Sequence, residues 1–281
     1  MKTEKKLKQM RVIKLLSICL LGVLLPLCSC NDEGDDVHSE NIKLTISEKI
    51  AYELGWTDKT EDFYFTGNHL TKVVTTQITT TTGFPPYVDK DTVRTEDIID
   101  YGEKQINITQ DNGNELVYTL NEQSKAVKCV LYEFGSGGTR HYTFTYTPEG
   151  MLAGIEEDNG SLHSECNIDY TDNDIVKTTT QQYGMDFSKS YTASDVENTW
   201  NFLCPVIIEA YPLYFHRIAF HMGILGKLSE HLIEKVVPEG ATNEYITYSY
   251  THNTKGYITS CVEKTVSYGS THTREIKYSY Y

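Results

Sequence analysis

Alternation of aromatic and threonine side chains constrains this chain more than any other feature of its sequence. Residues 142–146 read Tyr-Thr-Phe-Thr-Tyr, so an extended backbone would place three rings on one face and two threonines on the other. Residues 248–250 and 276–280 repeat the pattern, and the chain holds 21 tyrosines in all. Because successive strand residues point to opposite faces, this period of two predicts antiparallel strands that are half buried.

Turn-forming sequences separate these strands. Residues 111–113 and 158–160 both read Asp-Asn-Gly, a sequence that favours tight turns because asparagine and glycine adopt positive φ angles readily. An aromatic strand, a short polar turn and an aliphatic strand recur, as in residues 144–152 and 248–258. The sequence therefore predicts a mainly β fold, an antiparallel meander that forms a barrel or a half-barrel.

One late segment breaks the alternation. Ser194 and Glu197 have the spacing of a helix-capping box, and a strongly apolar stretch follows, interrupted by prolines. We expect a helical insertion over about residues 194–237 that packs against the open face or mouth of the sheet and completes its core. Glu209 and Arg217 are eight residues apart, close to two helical turns, and burial as a structural ion pair is their expected role.

The amino-terminal residues predict export and lipid attachment. The first 29 residues carry six basic side chains and one acidic one, and they include an uncharged apolar run over residues 15–27. This run suits a signal peptide and is too short to span a bilayer as a helix. Leu27-Cys28-Ser29-Cys30 resembles a bacterial lipobox, in which Cys30 follows the small residue that cleavage prefers. Residues 1–29 are therefore interpreted as a lipoprotein signal peptide and Cys30 as the lipidation site.

An acidic segment, residues 30–40, follows the signal peptide and should form a solvated tether. Without its basic leader the chain has a net charge of −19, compared with −14 overall, which argues against nucleic acid as a partner. The acidic run resembles the signal that Bacteroidota lipoproteins use for display on the cell surface. We therefore predict a lipid-anchored outer-membrane protein on the cell surface, with a periplasm-facing location as the alternative, and a single β-rich domain over residues 41–281.

The lipobox, the acidic tether, the tyrosine-rich hairpins and the late insertion together resemble one group of Bacteroidota lipoproteins. The insertion ends in residues 223–229, Gly-Ile-Leu-Gly-Lys-Leu-Ser. Proteins of this group carry a domain of unknown function with a porin-like fold, and the resemblance covers roughly residues 41–281. It implies a curved antiparallel β architecture and brings no activity or catalytic residues.

The last strand predicts how such a barrel meets its surroundings. Ile276, Tyr278 and Tyr280 form an apolar face, whereas Glu275 and Lys277 point the other way. Charged side chains on a lipid-facing strand cost about 2–4 kcal/mol each for Lys or Arg near the bilayer midplane. We therefore expect an apolar interior and a barrel that hangs from its lipid anchor, not an integral pore.

Motifs for catalysis are missing from the sequence. It contains no Gly-x-Ser-x-Gly elbow, phosphate loop or dinucleotide glycine pattern, and His216 and His221 lack the spacing of a zinc motif. We expect no enzyme activity, no metal and no cofactor, with a hydrolytic enzyme as a weaker alternative. The expected function is binding of a hydrophobic or saccharide ligand or of an envelope protein, with Glu209, His216 and Arg217 as candidate ligand-facing residues. A structural subunit of an outer-membrane assembly is the other alternative.

Four cysteines remain beyond the signal peptide and the lipidation site: Cys129, Cys166, Cys204 and Cys261. An exported location permits disulfides between them, and buried free thiols are equally expected. Asp91-Thr92-Val93 resembles the short acceptor for O-glycosylation in Bacteroidota, which makes Thr92 a candidate modification site.

Overall fold

The computed structural model describes residues 41–52, 55–82, 88–198 and 202–281, and within these ranges sixteen antiparallel strands form a closed barrel. Each strand pairs with the next along the chain, and the first pairs with the last. The strands are β1 (Asn41–Tyr52), β2 (Gly55–Thr66), β3 (His69–Thr82), β4 (Val88–Tyr101), β5 (Gln105–Thr109), β6 (Glu115–Leu120), β7 (Ala126–Tyr132), β8 (Thr139–Tyr146), β9 (Leu152–Asp158), β10 (His163–Thr171), β11 (Asp174–Gln182), β12 (Met185–Glu197), β13 (His231–Pro238), β14 (Tyr245–His252), β15 (Ile258–Ser267) and β16 (Ser270–Tyr280). The predicted meander is confirmed, and it forms the closed barrel, not the half-barrel.

The alternation of side chains sets the two faces of the wall. On β8, Tyr142 and Phe144 are buried inside the barrel, whereas His141, Thr143 and Thr145 are exposed outside it. A similar alternation holds on β5, β6 and β10, whereas β3 and β12 do not alternate strictly. The interior is therefore mainly apolar, and it also holds charged residues such as Glu61.

The side chains of strand β16 separate into an apolar inner face and a polar outer face, as predicted. Ile276 is buried and Tyr278 is partly buried, whereas Glu275 and Lys277 are exposed. Pairing of β16 with β1 brings Ile46 opposite Tyr278 and so joins two apolar inner faces. Closure of the barrel at this seam buries apolar side chains that a half-barrel would leave in water.

Asparagine side chains close several of the turns between strands. Asn121, Asn159 and Asn253 each accept two backbone N–H hydrogen bonds from residues two to four positions further along. Gly113 and Gly160 lie in the two predicted Asp-Asn-Gly turns with φ angles of +85° and +81°, a region that side chains disfavour. Local turn chemistry thus sets the lengths of these hairpins.

Residues 202–230, which we call the plug, occupy the lumen of the barrel. A sixteen-stranded barrel is too wide for its own side chains to fill. The plug contains α1 (Pro205–Ile208), a 3₁₀ turn (Leu213–His216) and α2 (Arg217–His221). His216 packs against Tyr118 of β6 and Phe144 of β8, and Phe202 packs against Tyr278 of β16. The insertion completes the core as expected, from within the barrel.

The predicted extent of the insertion is wrong at both ends. Ser194 and Glu197 belong to β12, and Glu197 lies opposite His231 at the start of β13. Ser194 Oγ accepts a hydrogen bond from the backbone N–H of Val196 within β12, and no helix starts at this spacing. The helices occupy only residues 205–208 and 213–221 of the predicted 194–237. No helix in the described residues has the length and apolar character needed to cross a membrane.

Candidate functional site

A cavity of about 510 Å³ lies inside the barrel, between the plug and the inner faces of β1, β2 and β16. Small-molecule sites have volumes of about 300–1,000 Å³, so the cavity is large enough for a ligand. The wall contributes Leu44, Ile46, Glu48, Lys59, Glu61, Tyr257, Arg274, Ile276, Tyr278 and Tyr280, and the plug contributes Phe202, Leu203, Pro205, Ile208, Glu209, Tyr214, Arg217, Phe220, His221, Met222 and Gly223. The predicted concave surface between sheet and insertion is therefore present as an internal cavity.

The cavity is elongated along the wall and has two different ends. Four successive inward positions of β16 line it, from Arg274 to Tyr280, and six residues of strand extend about 20 Å. On β1, Leu44 lies opposite Tyr280 and Glu48 lies opposite Ile276. The cavity thus has an apolar end at Leu44 and Tyr280 and a charged end at Glu48 and Arg274.

Side chains at both ends of the cavity are accessible to solvent. At the charged end, the side chain of Glu209 is 48% exposed. At the apolar end, Tyr280 is 38% exposed and its ring lies tilted against that of Tyr257, with ring centroids 4.8 Å apart. A small molecule can therefore approach the cavity without opening of the barrel.

Arg274 links the wall to the plug at the charged end. Its Nε donates a hydrogen bond to Glu48 of β1 at 2.7 Å. Its two terminal nitrogens donate to the two carboxylate oxygens of Glu209, at 2.6 and 3.2 Å. A bidentate arginine–carboxylate pair fixes orientation as well as charge, so Arg274 holds the plug in register with β16 and β1.

Glu61 of β2 forms the second link, with Arg217 of the plug. Glu61 is 4% exposed, and Lys59 Nζ lies 3.5 Å from its Oε1. Burial acts to raise the pKa of Glu61, but the charge and hydrogen bond of Arg217, together with Lys59, lower it to about 2. The predicted pair of Glu209 with Arg217 is wrong, because each binds the wall instead. Both line the cavity, as expected of ligand-facing residues.

His221 lines the charged end one helical turn after Arg217. Its ring packs against Phe63, with centroids 4.6 Å apart, and its Nε2 is buried without a hydrogen-bond partner in the described part of the chain. Burial, and then the charge of Arg217, lower the pKa of His221 to about 3, so the ring is neutral at pH 7. A neutral ring nitrogen without a protein partner can exchange one hydrogen bond with a ligand.

His216 lies outside the cavity, in an aromatic cage. Its Nδ1 is 2.8 Å from the hydroxyl of Tyr118, and the rings of Tyr118, Tyr142 and Phe144 contact it edge-on. The residue is fully buried, and burial lowers its pKa to about 3. The structure therefore does not place His216 among the ligand-facing residues, because the imidazole packs into the core between the plug and the wall.

Sequence reasoning missed the charged residues that the wall contributes. Glu48 stands two residues after Ile46, and Lys59 and Glu61 stand in phase with Phe63, so all three share the inner face with apolar residues. A charge in phase with an apolar face is the signal that could have identified them. Their ion-pair partners lie far away in sequence, and no local sequence pattern predicts these partners.

The candidate disulfides between Cys129, Cys166, Cys204 and Cys261 do not form, and all four thiols are free and buried. Cys129 lies on β7 and Cys166 on β10, three strand spacings or about 14 Å apart along the wall. Disulfides need Cα atoms within about 7 Å of each other. Cys261 lies on β15, further round the barrel, and Cys204 precedes α1. The alternative of buried free thiols is therefore the one observed.

The remaining candidate sites lie apart from the cavity. Thr92 is exposed on β4, opposite Ile78 of β3, where a modifying enzyme can reach it. Cys30 lies outside the described residues. Within those residues, no cluster of histidine, cysteine and carboxylate side chains could hold a metal ion.

Comparisons with known proteins agree with this architecture. A family model described as "Domain of unknown function (DUF4595) with porin-like fold" matches residues 65–260. A crystal structure of a porin-like protein from Bacteroides uniformis ATCC 8492 is similar with a TM-score of 0.75 and 24% sequence identity, over 85% of this chain and 97% of that one. At this identity the likeness concerns the fold alone. A search of curated proteins finds no match.

Proposed function

The chain belongs to the family of domains of unknown function with a porin-like fold (DUF4595), and from this premise we propose that it is a binding module of the bacterial envelope that holds a small molecule inside its barrel. The observation that carries the proposal is the cavity of about 510 Å³ between the plug and the wall. Its lining combines apolar side chains with a few convergent polar groups, which is typical of ligand sites.

Binding accounts for the cavity better than hydrolysis does. Glu209 and Arg217 line an accessible cavity, an arrangement that would favour an enzyme if either were free to act. Each is instead held in an ion pair, Glu209 with Arg274 and Arg217 with Glu61. Side chains held in ion pairs in this way stabilise the fold and are not free to act on a substrate. Absence of enzyme activity therefore remains our prediction.

Polar residues on the outer wall support a barrel that stands in water. Outward positions of β10 carry Glu165, Asn167 and Asp169, and outward positions of β16 carry Glu275 and Lys277. Charged side chains in such positions are costly against lipid. A porin-like fold is compatible with an outer-membrane location, and we place the barrel beside the membrane, attached through lipid on Cys30 and displayed on the cell surface.

Blocking the cavity should abolish small-molecule binding. Ile46→Trp fills the lumen beside Tyr278, so we expect binding of the neutral fluorophore N-phenyl-1-naphthylamine to weaken by about tenfold or more, equivalent to about 1.4 kcal/mol. Titration of fluorescence at constant protein concentration measures this. Ser47→Trp is the matched control, because residue 47 is adjacent on β1 and points outward. Equal binding by the Ile46→Trp variant and the unaltered protein would contradict the proposal.

Removal of the predicted lipid site should detach the protein from membranes. Cys30→Ala should eliminate incorporation of labelled palmitate and move the protein from the membrane to the soluble fraction, because hydrocarbon burial then no longer holds it. Cys28→Ala is the control and should leave both unchanged. Protease treatment of intact cells should degrade a surface-displayed barrel, whereas its survival would favour the periplasmic alternative. Membrane association and labelling that persist in Cys30→Ala would refute the anchor.

Exposed aromatic residues at one rim favour a structural subunit as the second candidate. Phe134, Tyr183 and Tyr268 are exposed at the turns that follow β7, β11 and β15. In an up-and-down barrel, turns that follow odd-numbered strands share one rim. Large aromatic side chains exposed on the same rim could contact a partner protein there. This candidate would gain support if the cavity binds no fluorophore.

A further inference from the structure

Taking the proposed function as its basis, we infer that the cavity binds a single-chain amphiphile with an anionic head, of which a fatty acid is the simplest example. The acyl chain lies at the apolar end, and the head lies beside Lys59 and His221 at the charged end. The inference follows from the shape of the cavity and from the hydrogen-bonding groups that remain available in it.

The apolar end is long enough for an extended acyl chain. From Ile276 to Tyr280, three successive inward positions of β16 line the cavity over four residues, about 13 Å. Leu44 and Ile46 of β1 form the adjoining surface, and Phe202 of the plug covers it. An extended acyl chain along these apolar side chains would bury its whole length there.

Of Lys59, Arg217 and Arg274, which line this cavity, Lys59 is the one held by the longest contacts. Its Nζ lies 3.7 Å from Glu48 and 3.5 Å from Glu61, both longer than a typical N–H···O hydrogen bond. By contrast, Arg274 donates from three nitrogens to carboxylate oxygens at 2.6–3.2 Å. The ammonium of Lys59 can therefore turn toward an incoming anion while it keeps its long-range attraction to both glutamates.

His221 provides a second group for the head. Its Nε2 is buried, has no hydrogen-bond partner in the described residues, and belongs to a side chain that lines this end of the cavity. A buried polar atom without a partner costs free energy. In the tautomer that carries the proton on Nε2, a ligand oxygen would recover this cost by accepting that hydrogen. Arg217, one helical turn earlier, adds positive charge beside it.

The carboxylates at the charged end are each paired with a cation of the protein. Both oxygens of Glu209 accept hydrogen bonds from Arg274. Glu48 Oε2 accepts from Arg274 and Glu61 Oε2 from Arg217. The other oxygens, Oε1 of Glu48 and Oε1 of Glu61, face Lys59 at 3.7 and 3.5 Å, so a cationic head would compete with Lys59 for them, whereas an anionic head can bind Lys59 itself. The site therefore favours an anion.

Competition with the fluorophore tests this assignment. Decanoate should displace N-phenyl-1-naphthylamine at a concentration at least about tenfold lower than decylamine or butyrate, which change the head charge and the chain length respectively. Lys59→Gln should weaken the binding of decanoate by about tenfold. It should weaken the binding of decanol much less, because decanol has the same chain without the charge. Lys277→Gln, outside the barrel on β16, is the matched control and should change neither.

Each outcome of the competition decides one point. Equal displacement by decanoate and decylamine would overturn the anionic head, and equal displacement by butyrate would overturn the acyl chain. If Lys59→Gln weakens the binding of decanoate and of decanol equally, Lys59 does not bind the head group. Thermal melting verifies that the variant is folded. Fluorophore binding that Ile46→Trp leaves intact would instead refute the cavity as the site, which is a failure of the proposed function itself.

Discussion

Acidification from pH 7 to pH 4 should lower the free energy of unfolding by on the order of 3 kcal/mol for each of two buried histidines. Burial lowers the pKa of both His216 and His221 to about 3 from an ordinary 6.5. In the folded barrel both rings therefore stay neutral, while in the unfolded chain both take up protons below pH 6.5. The stability that they contribute is complete above pH 6.5 and is lost as the pH falls toward 3.

Urea unfolding at several values between pH 7 and pH 4 measures this loss. His216→Gln should remove about half of the dependence, because glutamine does not titrate and can still hydrogen-bond the hydroxyl of Tyr118. His163→Gln, at an exposed position of β10, is the matched control and should leave the dependence unchanged. Stability that is constant over this range would show that the two rings are protonated at little cost in the folded state.

Glu61→Ala should destabilise the barrel by about 3–5 kcal/mol. The substitution leaves the guanidinium of Arg217 inside the lumen without its carboxylate, and it also removes a partner of Lys59. The pKa of Glu61, about 2, lies below its ordinary 4.5, so the contribution of this carboxylate is present above pH 4.5 and is lost as the pH falls toward 2. This window lies below that of the histidines, although the two overlap.

Thermal or urea unfolding at pH 7 tests the cost of this substitution. The double variant Glu61→Leu/Arg217→Met should recover most of the loss, because removing both charges leaves neither one buried alone. Glu122→Ala is the control for an exposed ion pair with Lys104 and should change stability by less than about 1 kcal/mol. If Glu61→Ala costs no more than this control, the pair with Arg217 does not hold the plug.

Much of the wall can be predicted from sequence because its information is local. Residues 142–146 alternate every second position, and the structure buries Tyr142 and Phe144 while exposing Thr143. The Asp-Asn-Gly turns likewise act over a few residues. At Ser194 and Glu197, by contrast, a local capping signal starts no helix, because β12 continues to Glu197, which pairs with His231 of β13.

The candidate site was predictable only in part. Glu209 and Arg217 were identified because charges in an apolar stretch are conspicuous, and both line the cavity. Their partners were not identified, since Glu61 and Arg217 are 156 positions apart and Glu209 and Arg274 are 65 apart. No periodicity extends over such distances, so the assumption that the two neighbours pair with each other was the natural error.

Strand content, the two faces of each strand and the turns follow from the order of residues, because each depends on side chains within a few positions of one another. Closure of the barrel and entry of the plug depend on a global requirement. Sixteen strands enclose more space than their own side chains fill, and β1 meets β16 only when all the intervening pairings are in register. The cavity is the space that remains where the plug does not fully cover that seam, so only the folded chain reveals it.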